Sequence, residues 1–325
     1  MRVFVTGATG FLGGALARSL CNSGAEVHVM VRSGSHRRAL DGLAVHFHEA
    51  DITIPETLTE ALRGCSWIIH AAGKLGEAGV PEEKYRLVHV EGTRNLLAAA
   101  FSLQPQPRIL YVSSPGVLGP VAGEPAREDA PYAPSNPYER TKAAAEEVAL
   151  EFASRGLPVI VARPEFVYGP GDLHVLRLFH AVKRGRFFYI DGGRHFCHPT
   201  FIADAVDGML LCLGRGRPSS IYHITGPHPV TFRELGDAIA EALGVPSPRL
   251  SIPKWLAIAG AGGLETLGRL TGQPPPLSRT GVAFFSEDRR FSSQKAYDEL
   301  GYTPKYDLET GIASAVAWYR EHNLL

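Results

Sequence analysis

The first fourteen residues, MRVFVTGATGFLGG, constrain this chain more than any other stretch. Val3 to Val5 read as a short buried strand, and Leu12 to Cys21 places apolar residues three and four apart, as an amphipathic helix requires. Between them Gly7, Gly10 and Gly13 make a tight turn that opens directly into the helix. Such a turn lets backbone approach a diphosphate closely, and the free N–H groups and dipole of a helix N-terminus favour negative charge there. A glycine turn between strand and helix can also be purely structural. Here both flanks are correctly placed, so Gly7, Thr9, Gly10, Phe11 and Leu12 are the expected diphosphate site of a dinucleotide.

The same grammar continues. Val27 to Val31, Trp67 to His70, Ile109 to Val112 and Val159 to Ala162 are short apolar, β-branched runs. Helix-forming, alanine-rich stretches at Leu58 to Leu62, Glu91 to Ala100 and Tyr138 to Ala153 lie between them. Alternation of this kind predicts an α/β fold with a parallel sheet. Pro115 to Pro137 is rich in Pro, Gly and Ala and reads as a long ordered loop. Beyond Arg163 the alternation loosens, with Phe187 to Ile190 and Ile221 to Ile224 as strands and Thr200 to Leu213 as a helix. Thr231 and Glu234 form a capping box for a helix running to Leu243 and ending at Gly244. Ser292 or Ser293 starts a short helix that Gly301 ends.

Charge excludes some functions. Lys plus Arg equals Asp plus Glu at 33 each, so no overall field draws the chain to nucleic acid or to an anionic membrane. The four cysteines match no zinc or C-x-x-C spacing, which suits a reducing cytoplasm. The first strand begins at once, leaving no room for a cleaved leader, and Trp255 to Leu264 is too short to cross a bilayer. His195, Cys197 and His198, in HFCHP, lack further ligands and read as structural, so no metal is assigned.

The second strand ends in Val31, Arg32 and Ser33, without the acid that would hold a ribose 2′-hydroxyl. Arg32, with Arg37 and Arg38 close behind, can instead pair with a 2′-phosphate, so NADP(H) is favoured and NAD(H) remains open. The alternative is a solvated basic turn. Asp51 and Ile52 follow the third strand, where the adenine edge would lie, and Ala71, Ala72 and Gly73 form a small-residue strand end where the cofactor would pass.

Tyr138 and Lys142, four apart in YERTK, share one face of a helix. A neighbouring ammonium stabilises a phenolate, which brings a phenol toward working range as an acid and base. Ser113 and Ser114 end the preceding strand at the carboxyl edge, where an open α/β sheet gathers its ligands.

TGATGFLG, HAAG, YVSS, YERTK and RPEFVYGPGD stand in the order and spacing of the extended short-chain dehydrogenase/reductases, and the chain resembles that family over nearly its whole length. The resemblance implies a Rossmann-type doubly wound parallel sheet with a smaller, sequence-interleaved C-terminal substrate domain. Residues 1–165 plus about 198–225 would bind NAD(P), and about 166–197 plus 226–325 would bind substrate. Tyr138 is then the general acid and base, Lys142 binds the nicotinamide ribose and lowers the Tyr138 pKa, and Ser114 positions the carbonyl. Ser113 is the alternative serine and adjoins the cofactor, and Pro164 to Val167 pass the nicotinamide. A homodimer through the Glu91 to Ala100 and Tyr138 to Ala153 helices is also implied, although burial within one chain would explain their alanines equally.

One departure is His89 in His-Val-Glu-Gly-Thr, where the family often has a helix-bending Asn, so no proton relay is assigned through that helix. Pro115, Gly116 and Val117 replace the acidic pair of sugar-nucleotide dehydratases. Pro164, Glu165 and Phe166 replace the Tyr-x-Asn of epimerases. RPEFVYGPGD and the run from IPKWL through FSSQKAYDELGYTP look more like 3β-hydroxysteroid and sterol carboxylate dehydrogenases, dihydroflavonol-type reductases and bacterial 3-oxoalkanoate reductases. The expected reaction interconverts a hydroxyl and a ketone on a hydrophobic small molecule. An NDP-sugar 4-epimerase and a non-catalytic NADP(H) sensor are the alternatives. Phe187, Phe188, Tyr189, Trp255, Leu256 and Ile258 are mostly core in this reading, and Trp255 to Leu270 is an amphipathic core helix rather than a lid or a membrane-surface helix.

Overall fold

Strand residues alternate between two buried faces, and each face needs its own layer of helices. In the computed structural model, which describes residues 1–77, 79–271 and 277–325 and only the backbone at 269 and 270, both layers are present. β1 (Arg2–Thr6), β2 (Glu26–Val31), β3 (Val45–Glu49), β4 (Trp67–His70), β5 (Arg108–Val112), β6 (Val159–Pro164) and β7 (Ile221–Ile224) form one sheet. All its pairs are parallel, in the order β7-β6-β5-β4-β1-β2-β3. The chain direction across the sheet reverses between β1 and β4, so a ligand crevice opens beyond their carboxyl ends.

Val3 and Val5 face one core, with Leu16 and Leu20 of α1 (Phe11–Asn22). Phe4, between them, faces the other. That second core is closed by α2 (Leu58–Leu62), α4 (Gly92–Phe101) and α5 (Pro137–Ser154), through Leu58, Leu97, Val148 and Phe152 among others, while α3 (Glu82–Arg86) packs on α5. Ala100, Ala145 and Ala149 are buried here within the single chain. α6 (Leu176–Lys183), α7 (Ile202–Arg215) and α8 (Phe232–Leu243) add Phe179, Met209 and Ile239 to the first core, so the core continues from the sheet into the second half.

The capping signals act as their chemistry requires. Thr231 Oγ1 accepts from Glu234 N at 3.1 Å, Glu234 Oε2 accepts from Thr231 N at 2.6 Å, and Gly244 ends α8 at φ 72°. The expected strand Phe187 to Ile190 is only Tyr189–Ile190. Arg186 N and Phe187 N donate to Ala181 O at 2.8 and 3.1 Å to close α6, which removes them from any ladder.

α9 (Lys254–Thr271) corrects a second expectation. Ala257 and Ala261 are its buried contacts, whereas Trp255 is 69% exposed and Leu256, Ile258 and Leu267 are exposed as well. The small residues occupy the contact face, which turns the large apolar ones outward, so this is not a core helix. The side chains of its residues 269 and 270 lie outside the described ones. No helix among the described residues is long and apolar enough to cross a membrane.

Candidate active site

The carboxyl edge of the sheet gathers the first group of expected residues around the glycine turn. Gly7 has φ 70°, and a Cβ there would come within 2.6 Å of Ala71 O. A Cβ at Gly13 would strike the Gly7 carbonyl. Gly10 caps α1 without any side-chain hydrogen bond, so the first-turn N–H groups at Phe11 and Leu12 keep no side-chain acceptor. A cradle that side chains would fill, facing a bare helix N-terminus, fits a dinucleotide diphosphate.

Buried hydroxyl and imidazole groups shape the crevice wall. His70 Nδ1 lies 2.8 Å from Thr6 Oγ1, which accepts from Ala72 N at 3.1 Å, and His70 Nε2 lies 3.1 Å from Thr93 Oγ1. Burial, reinforced by the Lys142 charge, holds the His70 pKa down to about 3, so this tie between β1, β4 and α4 is neutral. Ala71 and Ala72 lie half-buried along it, and Gly73 beyond them is exposed. Further out, Asp51 Oδ1 accepts from Thr53 N and Oγ1 at 2.8 Å each. Ile52 is buried against Gly92, and its carbonyl accepts from Asn95 Nδ2 at 2.9 Å. Arg32 is exposed at the end of β2, and its guanidinium bonds nothing among the described residues, whereas Arg37 lies over the Phe47 ring at 4.6 Å.

The second group sits on α5 and β5. Asn136 Oδ1 accepts from Glu139 N at 3.0 Å and starts α5 just before Tyr138. The Tyr138 ring stands edge-on to His89 at 5.5 Å and to Tyr85 at 6.2 Å. One turn on, Lys142 is 6% exposed, its Nζ donates to Val112 O at 2.7 Å, and it lies 4.7 Å over the Tyr111 ring. Burial lowers its pKa to about 8. Ser114 Oγ accepts from Gly116 N at 3.2 Å, which leaves its own proton to donate. Ser113 Oγ is fully buried and has no partner among the described residues. Pro164 ends β6, and Val167 pairs with Thr200 just beyond it.

Sequence spacing led to the expectation that Lys142 lowers the Tyr138 pKa, but the structure shows another balance. Burial pushes the Tyr138 phenol up, and the carboxylates of Glu165 and Glu139 push it further. The Lys142 ammonium is directed at a backbone carbonyl instead. Leu87–Glu91 is a π-helical segment although the bending Asn is absent. His89 occupies that place, with Nδ1 2.9 Å from Thr141 Oγ1 and Nε2 within 3.1 Å of both Lys74 N and Lys74 O. It thereby ties the bent helix to α5 and to the loop after β4.

Several residues of this site gave no clear sequence signal. Glu165 is 5% exposed and makes no side-chain hydrogen bond among the described residues, and burial raises its pKa to about 7. Arg289 pairs with Glu139 at 2.8 Å and Glu287 at 3.2 Å, so its charge is already shared. The buried pair Arg163–Glu146, at 2.5 Å, joins β6 to α5, with Tyr132 Oη donating to Glu146 at 2.8 Å. An acid just before the apolar Phe166 and Val167 was the available clue to Glu165. Partners as far apart as Glu146 and Arg163 leave no periodic trace. His198 and His195 do not converge, since His198 Nε2 faces Gly226 O at 3.1 Å and His195 lies 3.4 Å from Asp288.

Comparison with known proteins places this geometry. Residues 3–225 match the model of the NAD dependent epimerase/dehydratase family. A 4-hydroxy-2-methyl-3-oxo-4-farnesyl-3,4-dihydroquinoline-1-oxide ketoreductase of Stigmatella aurantiaca is 32% identical, over 96% of this chain and 95% of its own. Sterol demethylase protein B of Methylococcus capsulatus is 30% identical over 100% of both chains. Among solved structures, the dTDP-glucose 4,6-dehydratase DesIV of Streptomyces venezuelae, with NAD and TYD bound, superposes with a TM-score of 0.81 at 27% identity, over 99% of this chain and 98% of its own.

Proposed function

Since the chain belongs to the NAD-dependent epimerase/dehydratase family and is an NAD(P)-dependent oxidoreductase of the extended short-chain dehydrogenase type, we propose that it interconverts a secondary hydroxyl and a ketone on a hydrophobic small molecule. The observation that carries this reading is the meeting of Lys142 with the end of β5. The 2.7 Å bond to Val112 O puts the Tyr138 and Lys142 helix beside Ser113 and Ser114, on the same sheet edge as the glycine turn.

When bound, the nicotinamide cofactor supplies or takes the hydride. Gly7, Thr9, Gly10, Phe11 and Leu12 would hold its diphosphate, Asp51 and Ile52 its adenine side, and Ala71, Ala72 and Gly73 its passage across the crevice. Lys142 would hold the nicotinamide ribose, with Ser113, Pro164 and Val167 around the ring. Arg32, exposed and uncommitted, supports NADP(H) over NAD(H) through a 2′-phosphate. In the reductive direction Tyr138 Oη gives its proton to the ketone oxygen while the Ser114 hydroxyl donates a hydrogen bond to the same oxygen. The phenolate left behind regains a proton from solvent.

An aromatic run supports the apolar substrate. Phe166 contacts Phe284 at 5.4 Å, Phe284 contacts Phe232 at 5.4 Å, and Phe285 contacts Phe187 at 5.8 Å. The run leads from the strand end beside Glu165 into the second half. The relatives named above carry in their names a farnesyl-bearing dihydroquinoline oxide and a sterol, both with large apolar parts. The test is titration of purified protein with NADPH and NADH, followed by a panel of hydrophobic ketones and hydroxysteroids with nicotinamide absorbance as the readout. Tighter NADPH binding and oxidation by a panel ketone support the proposal. Cofactor retained through purification with no net redox against the panel supports a sugar-nucleotide epimerase instead.

A further inference from the structure

The sheet's open edge carries a second cluster that the oxidoreductase chemistry does not use. β3 is the outermost strand, and its register sets His46 beside His28 of β2. Two-residue periodicity puts Glu26 and His28, and equally His46 and His48, on one sheet face. The His28 and His46 rings stack at 4.6 Å and 22°. His28 Nε2 lies 2.9 Å from Glu26 Oε1, and His28 Nδ1 lies 2.7 Å from His48 Nε2.

We propose that Glu26, His28 and His46 form a binding site for a divalent transition-metal cation of the zinc, cobalt or nickel class, with His48 orienting His28 from behind. One ligand atom from each of the three lies within 4.8 Å of the others. Around a tetrahedral zinc at about 2.1 Å such atoms stand roughly 3.4 Å apart, so the cluster must contract by rotation of its outer side chains. Those are the exposed ones: Glu26 and His46 face solvent, while His28 is buried and fixed. Imidazole and carboxylate donors without a thiolate suit this class of cation, and three protein ligands leave a position for water. A ligating histidine ordinarily donates its other ring N–H to an acceptor, and His48 is placed to accept it. Arg2 also faces the cluster, its guanidinium 3.0 Å from Glu26 Oε1, which leaves Oε2 for the cation. Bound there, the cation would clamp the edge strand to β2.

The experiment is calorimetric titration of tag-free, chelator-treated protein with zinc chloride, alongside cobalt absorption spectra and thermal unfolding with and without zinc. One site per chain and a higher unfolding midpoint with zinc are expected. His46→Ala and Glu26→Gln should each weaken zinc binding at least tenfold and lose the zinc-dependent gain in midpoint. Their metal-free midpoints and circular dichroism should match the parent, which shows that the fold persists. Binding without a fixed stoichiometry, or affinity unchanged in either variant, means an adventitious ion only and overturns the proposal.

Discussion

Lys142 Nζ donates to the carbonyl of Val112 at 2.7 Å, so the ammonium proposed to hold the nicotinamide ribose is anchored by the last residue of β5. This bond fixes α5 against the sheet edge and sets where Tyr138 stands. It also means that Lys142 is pre-positioned by backbone and does not rely on a flexible side-chain partner.

The first prediction concerns pH and follows from that burial. The Lys142 pKa is lowered to about 8, so its charge is present below that value and is lost as pH rises through it. Nicotinamide dinucleotide affinity should therefore weaken between about pH 7 and 9, where the ammonium proposed to hold the ribose loses its charge, as fluorescence titration would show. Lys142→Met should flatten this dependence and lower turnover by about 10²–10⁴-fold.

Glu165 predicts the opposite trend in stability. Its pKa is raised from 4.5 to about 7, so its contribution to stability is fully present below pH 4.5 and is lost as pH rises through about 7. Glu165→Gln should thus be more stable than the parent at pH 8, by on the order of 3 kcal/mol, with the difference closing below pH 5. Urea unfolding at the two pH values measures it. Equal stabilities at pH 8 would show that the carboxylate is solvated or paired when charged.

The Arg163–Glu146 pair is almost wholly buried, at 1% and 0% exposure. Breaking it strands a guanidinium inside the core, so Glu146→Ala should destabilise the fold by about 3–5 kcal/mol in denaturant unfolding. A loss under about 1 kcal/mol would mean that water reaches Arg163 in the variant.

Local signals carried much of this structure. The glycine turn, the five strands that begin near Val3, Val27, Trp67, Ile109 and Val159, and the capping box around Thr231 and Glu234 each state their geometry within a few residues, and each stands where the sequence placed it. What escaped depends on residues distant in the chain. α9 looked like a core helix because composition does not say which face is the contact face, and only packing against Ile190 and Val282 shows that Ala257 and Ala261 are the buried side. His89 was legible as a departure, but its ties to Lys74 and Thr141 require the folded loop. The electrostatics of Tyr138 were the least legible, since they are set by burial and by Glu165, which lies on another strand end. The metal cluster joins two strands whose register no single segment encodes.

The central claim is that Tyr138 moves the proton while other groups hold the cofactor, and replacing it with Phe tests this most directly. In steady-state turnover of a panel ketone with NADPH, paired with NADPH fluorescence titration, Tyr138→Phe should lose at least about 10²-fold in kcat while the cofactor dissociation constant stays within about threefold. Turnover retained in the variant would contradict the account and move proton transfer to another group, with Glu165 the first to examine.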